Sequence, residues 1–240
     1  MKERENGEMV AGGKFPGATG GSKMPPYGAE VGERLAGAGW ALADAEKATA
    51  GICLLNADLR IVYCNGAWER QEREKSGAAA SREELSGVAI LDRVAEPLRP
   101  FYSRRFSEVK KQGQEWEHDY ELSSAEKLRM YRLKVKRVAD SYLLLESRMA
   151  REAAHGAERP AMPAVKSLYV TENGTLTMCS HCRRARCVGL GRTVWNWVPE
   201  YLSAPAGRVS QGLCRECFAH FYPEINRTPH ADGLGRAAGR

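Results

Sequence analysis

No stretch of this 240-residue chain approaches the roughly 20 consecutive apolar residues that a membrane-crossing helix needs. The opening residues, MKERENGEMVAGGKF, hold no apolar core of the kind a secretory signal requires. Both absences lead to the expectation of a cytoplasmic protein with no membrane partner, in a compartment where thiols stay reduced. Long runs of one charge sign are also missing. The 36 basic residues stand against 30 acidic ones, and the net charge of +6 is spread along the chain. So mild an excess gives weak attraction to anionic surfaces and does not argue for a nucleic-acid partner. Catalytic signatures are absent as well: there is no glycine-rich phosphate loop, no nucleophile elbow and no H-E-x-x-H. The five histidines are scattered at 118, 155, 181, 220 and 230. The chain is therefore expected not to be an enzyme and to have no catalytic residues. It shows no internal repeat.

What is present suits a globular protein, since hydrophobic residues make up 43%. Residues 1–30 are rich in Gly, Pro, Ser and Lys without apolar periodicity, and read as a disordered leader. Val31, Leu35, Ala38, Leu42 and Ala45 then recur at helical spacing, predicting a helix over Val31–Ala48. Glycines at 32, 37 and 39 weaken it, so it needs a partner surface. Pairing of this stripe in a homodimer is the expectation.

Strand patterns at Ile52–Leu55 and Arg60–Cys64 flank a turn at Asn56-Ala57-Asp58. A short helix follows over Ala67–Arg73, and Ser81-Arg82-Glu83-Glu84 has capping-box spacing. Beyond Pro97 and Pro100, Leu98, Tyr102, Phe106 and Val109 share one face of a longer helix that stops at Gly113. From Glu115 to Leu122 the chain alternates, with Trp116, His118, Tyr120 and Leu122 on one face and Glu115, Glu117, Asp119 and Glu121 on the other. Leu128–Val138 alternates too, setting Tyr131, Leu133 and Val135 against Arg132, Lys134 and Lys136, and Tyr142–Glu146 completes a meander. The acidic and basic faces would pair across strands and fix their register. This order predicts an α+β domain over residues 31–150, a five-stranded antiparallel sheet with helices on one face. Residues 151–165 read as a linker, 166–226 as a cysteine module and 227–240 as a disordered tail.

Seven cysteines, an odd number in a reducing compartment, are metal ligands or spare thiols before they are disulfides. Two C-x-x-C knuckles stand out, Cys179–Cys182 and Cys214–Cys217. Each places two thiolates on one side of an ion, and four close a tetrahedral structural zinc site. Residues 183–213 between the knuckles exceed the roughly 15–20 of many zinc ribbons, and carry Val194, Trp195, Trp197, Val198, Tyr201 and Leu202 as a small core. Phe218, Phe221 and Tyr222 follow the second knuckle at helical spacing, which predicts a treble-clef-like module. Arg183, Arg184, Arg186 and Arg215 would offset the net −2 charge of a zinc tetrathiolate from just outside it. A thioredoxin-like redox pair would need a single C-x-x-C, and a c-type haem site would need His where Arg183 and Phe218 stand. Cys53, Cys64 and Cys187 read as small buried hydrophobes or spare thiols. Two alternatives stay open for the module: a zinc-dependent nucleic-acid-binding regulator, and a redox sensor whose thiolates oxidise and release metal.

The element order, with Leu55–Asn65 leading into Ala67-Trp68 and the N-x-A of Asn65-Gly66-Ala67, resembles a PAS sensory domain over about half the chain. The run Trp116–Glu121 is similar to one in a bacterial subgroup of PAS proteins. Cys179–Arg186, the tryptophan-bearing stretch and Ser210–Cys217 resemble a cysteine-rich segment found beside PAS and receiver domains in bacterial signalling proteins. Gln211 and Arg215 depart from that segment's usual His and Pro. The resemblance implies a cytoplasmic signal-transduction protein whose PAS domain senses a small organic ligand or dimerises, and whose zinc module contacts a signalling partner. Neither the cysteine of flavin-binding PAS domains, absent from Ser86–Leu91, nor the long-helix histidine of haem-binding ones, absent from Leu98–Gln112, is present. Trp116, His118, Tyr120 and Tyr131 would converge between the sheet and the short helices, as walls for a partly polar ligand or as a filled core.

Overall fold

A computed structural model describes residues 28–76, 80–188 and 194–226. The expected tail and all but the end of the expected leader lie outside the described residues. The described residues begin with α1 (Ala29–Gly37) and α2 (Leu42–Lys47). They continue through β1 (Gly51–Leu55), β2 (Ile61–Cys64), α3 (Gly66–Ser76), α4 (Arg82–Leu85), α5 (Arg99–Gln112), β3 (Trp116–Glu121), β4 (Lys127–Val138) and β5 (Tyr142–Ala154). The five strands form one antiparallel sheet in the order β2-β1-β5-β4-β3. This is the α+β architecture with a five-stranded antiparallel sheet that the pattern of the chain predicts, and the one that the resemblance to PAS domains implies. Among the described residues no helix is long and apolar enough to cross a membrane.

The apolar run of β1 is buried at every position because both of its faces are covered. Cys53 and Leu55 join a core with Phe101, Phe106 and Val109 of α5, whereas Ile52 and Leu54 pack with Leu35 and Ala45 of α1 and α2. Helices therefore lie on both faces of the sheet, α3–α5 on one and α1–α2 on the other. The single helix expected over Val31–Ala48 is two. Gly39 takes a left-handed φ of 83°, which a continuing helix cannot hold. The corner is pinned by Trp40 Nε1 donating to Glu146 (3.2 Å) and Lys136 Nζ donating to the Ala38 carbonyl (2.7 Å). Of the apolar stripe offered for a dimer, Leu35 and Ala45 are buried against the chain's own sheet, while Val31, Ala38 and Leu42 stay half-buried.

Asn65 ties the first elements together. Its Oδ1 accepts from the N–H groups of Ile52 (2.9 Å) and Trp68 (3.0 Å), and its Nδ2 donates to the carbonyls of Ala45 (2.8 Å) and Ala50 (2.9 Å). On the outer face of β3 and β4 the charges pair as their alternation predicts. Arg132 grips Asp119 at 2.7 Å and Lys134 meets Glu115 at 2.6 Å. The alternation breaks at the end of β3, where Glu121 is buried because Arg159 reaches it with two bonds, 2.6 and 2.9 Å.

The second unit comprises α6 (Lys166–Tyr169), β6 (Thr175–Cys179), β7 (Ala185–Cys187), β8 (Val194–Asn196), α7 (Glu200–Ser203), β9 (Arg208–Gly212), α8 (Arg215–Phe221) and α9 (Pro223–Asn226). Its sheet runs β8-β7-β6-β9, with β6 and β9 parallel. Tyr169, Leu176, Met178, Cys187, Val198 and Tyr201 fill its core. Val194, expected there, is exposed, and Trp195 packs toward the larger core instead. The stretch expected as a linker starts as the last residues of β5 and then lies against Trp197. The His155 ring is 4.5 Å from the Trp197 ring, Arg159 sits over it at 5.0 Å, and the Met162 N–H donates to the Trp197 carbonyl at 2.8 Å.

Candidate metal centre and the cavity beside it

Strand β6 delivers Cys179 to the first knuckle. The chain reverses there because the Cys179 N–H bonds the Arg184 carbonyl (2.8 Å), the Arg183 N–H bonds the Cys179 carbonyl (3.1 Å), and Arg183 adopts a φ of 63°. The parallel register of β6 and β9 sets Gly212 beside Cys179, and the Ser180 N–H donates to the Gly212 carbonyl at 2.8 Å. A side chain at 212 would meet Thr177 Cγ2 and the Trp195 ring at 3.2 Å each, so the glycine permits this approach. Two residues on, Cys214 caps α8. Its N–H donates to Cys179 Sγ (3.4 Å), and its own Sγ accepts from the Cys217 N–H (3.5 Å).

The four Sγ atoms of Cys179, Cys182, Cys214 and Cys217 lie within 4.8 Å of one another, and all four residues are buried. Cys182 and Cys214 are 3.7 Å apart, close to the ~3.8 Å edge of a tetrahedron built on a Zn–S length of ~2.3 Å. The donor set therefore fits one tetrahedral dication. Hydrogen bonds from Cys182, Cys214 and Cys217 and from a backbone N–H hold the Cys179 thiol far below its ordinary range. Facing Cys179, Cys182 and Cys217 are pushed far up, with burial adding to the effect. A dication bound to all four would hold each sulfur as a thiolate and leave the net charge at −2.

Of the four arginines expected to balance that charge, Arg183 is the one whose field meets Cys179, as burial works against its own charge. Arg184 and Arg215 lie near the Glu216 carboxylate, and Arg186 keeps a buried Nε without a partner. The cation the sequence did not flag is Arg159, which is clamped to Glu121 and also feels Cys182.

The cysteine unit is docked on the PAS-like domain rather than tethered beside it. Phe221 of α8 packs on Phe101 (5.0 Å) and His118 (5.4 Å), and His118 stacks on Trp116 at 5.5 Å. The Tyr222 hydroxyl donates to the Pro97 carbonyl (2.6 Å), Arg104 pairs with Glu224 (2.7 Å), and Arg183 donates to the Lys75 carbonyl (3.2 Å). His118 Nε2 is buried without a partner. Burial foremost, then the neighbouring His220 and His181, push its pKa down to about 4.

A cavity of about 660 Å³ opens along this junction. Trp68, Ile90, Leu98, Phe106 and Leu133 line it from the domain, and Ser180, His181, Arg183, Ser210 and Gln211 from the cysteine unit. Of the four residues expected as pocket walls, Tyr120 lines it, its hydroxyl bonded to Ser147 Oγ at 2.6 Å. Tyr131 stacks on Tyr120 at 5.7 Å without joining the lining. Trp116 and His118 belong to the aromatic stack beneath α8. The stripe of α3 formed by Trp68, Gln71, Glu72 and Lys75 also lines the cavity and was not read from the sequence as a site. Its signal was there: a helix whose inward stripe is polar at three- and four-residue spacing.

No family model matches the chain, and no curated protein matches it. Among solved structures, a domain of an HTR-like protein from Haloarcula marismortui ATCC 43049 is similar at 14% identity. It covers 43% of this chain and 100% of that one, with a TM-score of 0.34. A PAS domain from a two-component sensor histidine kinase is similar at 15% identity, over 51% of this chain and 99% of that one, with a TM-score of 0.33. At these scores the fold rests on its own strand order and packing.

Proposed function

We propose that the chain is a non-catalytic signal-transduction protein in which a PAS-like sensory domain carries a C-terminal unit stapled by one structural zinc ion. The observation that carries this reading is the continuity of the core. Cys179, Cys182, Cys214, Cys217 and Phe221 belong to the same apolar cluster as Phe101, Phe106 and Val135. A unit of this size buries too little on its own, so four thiolates around a dication would supply much of its stability and leave no open coordination position. Occupancy of the cavity would then be felt by the metal unit, which presents Phe218 and Ile225, both exposed, to a protein partner. Arg159 and Arg183 are engaged by protein groups, which favours protein contacts over phosphate contacts. The burial of all four thiols favours a staple over a redox reporter.

Elemental analysis of freshly purified protein tests the reading, with one zinc per chain expected. Cys214→Ser should lose the metal and lower the unfolding temperature. Protein free of zinc, or a Cys214→Ser variant that melts like the parent, would contradict it.

A further inference from the structure

Resting on that reading, we infer that Arg183 is a latch between the metal unit and α3, through which metal held by the four cysteines fixes one wall of the junction cavity. Its backbone and its side chain carry this independently.

The backbone comes first. Arg183 directly follows Cys182 and closes the knuckle. The Cys179 N–H bonds the Arg184 carbonyl and the Arg183 N–H bonds the Cys179 carbonyl, which holds Arg183 at a φ of 63°. Glycine adopts that left-handed conformation freely, whereas a residue with a Cβ is strained in it. Chain reversal alone would be served better by glycine. A strained arginine at such a position directs attention to what its side chain does.

That side chain leaves the knuckle and reaches the other unit. Its Nη2 donates to the Lys75 carbonyl at 3.2 Å, one of the last carbonyls of α3, which lack partners inside the helix. A cation there also meets the negative end of an 11-residue helix. The same charge faces Cys179, so the guanidinium stands between the sulfur cluster and the helix end. From Lys75 the connection runs on into the cavity wall. The Lys75 ammonium donates to the Arg93 carbonyl and pairs with Glu72 at 3.3 Å, and Arg93 pairs with Glu72 at 3.0 Å. Glu72, Lys75, Arg93 and Arg183 all line the cavity. A closed knuckle thus holds the last turn of α3 and the segment at Arg93 along one side of it. Once the metal leaves, nothing fixes the φ of Arg183 and α3 loses its cap. By reciprocity, an occupant that shifts this wall changes the affinity of the four cysteines for metal.

Hydrogen–deuterium exchange of the full chain, read at residues 73–76 with zinc and after chelation, tests the latch in Arg183→Gly, Arg183→Met and Arg183→Lys. Glycine relieves the backbone, methionine retains its strain, and neither carries a donor. Both variants should keep one zinc per chain. Their amides at the end of α3 should nevertheless exchange about tenfold faster than the parent's, the order expected of a lost cation at a helix end. Chelation should speed these amides in the parent and add little in either variant. Lysine restores a charge and a donor, and should recover part of the protection. Parental exchange at α3 in the zinc-loaded glycine and methionine variants overturns the inference, as does a chelation effect in them as large as the parent's. Loss of zinc from Arg183→Gly also overturns it, because the guanidinium would then serve the metal unit's own stability. Absence of zinc from the parent would bring down the staple reading and the latch with it, whereas one zinc in the parent with α3 unmoved brings down the latch alone.

Discussion

Among single residues, Asn65 and His118 illustrate opposite ways of being buried. Asn65 satisfies four backbone groups at once, so Asn65→Ala strands two N–H groups and two carbonyls. The expected loss is roughly 3–4 kcal/mol by urea unfolding, from the 1–3 kcal/mol that each stranded buried group costs, discounted for relaxation. A loss below about 1 kcal/mol would mean that water replaces the side chain. His118 is held neutral, its pKa lowered from 6.5 to about 4. The unfolded chain therefore binds a proton between those values that the folded chain refuses. Its contribution to stability is complete above pH 6.5 and is lost as the pH falls toward 4. His118→Phe keeps a ring in the stack and removes the orphaned Nε2, so its unfolding temperature should depend less on pH between 6.5 and 4. An unchanged pH dependence would locate the effect elsewhere. The cysteine quartet was legible in the sequence because C-x-x-C is a local pattern. Arg159 was not, because its partner Glu121 is remote in the chain and only the fold brings the two together.

Elements differ in the same way. The meander, the capped turn at Ser81 and α5 followed from periodicity and caps, and Ser81 and Glu84 do form the reciprocal capping box. The start of the chain was half legible. Its stripe is apolar at the expected positions, but Gly39 splits it, and the face it covers is that of its own sheet. The segment after β5 shows what composition misses. Gly, Pro and charged residues suggested a free linker, whereas the half-buried Arg159 is held against Glu121 and Trp197. Arg159→Met should leave Glu121 as an uncompensated buried charge at a cost of about 3–5 kcal/mol, and Glu121→Gln in the same background should recover part of that loss. Thermal unfolding of the single and double variants measures this. Additive losses would show that the two side chains do not act as a pair.

At the scale of the whole molecule the two units share one core, so on the proposed reading a metal held by the four cysteines is linked to the fold beyond the cysteine unit itself. Sequence reasoning separated them because the knuckles and the sheet are each recognisable alone, while the contacts of Phe221 with Phe101 and His118 join segments more than 100 positions apart. Residues that line the junction cavity come from both units for the same reason, and Trp116 and His118 were misplaced in it because the aromatic cover supplied by α8 was not foreseeable. If the four cysteines hold a metal as proposed, linkage requires that stripping it loosens whatever the cysteine unit covers. Hydrogen–deuterium exchange of the full chain, with zinc and after chelation, tests this most directly. The account predicts that chelation deprotects residues 175–221 and also α5 and β3, while β1 keeps its protection. Faster exchange confined to 175–221, with α5 and β3 unchanged, would contradict a metal unit built into the domain's core.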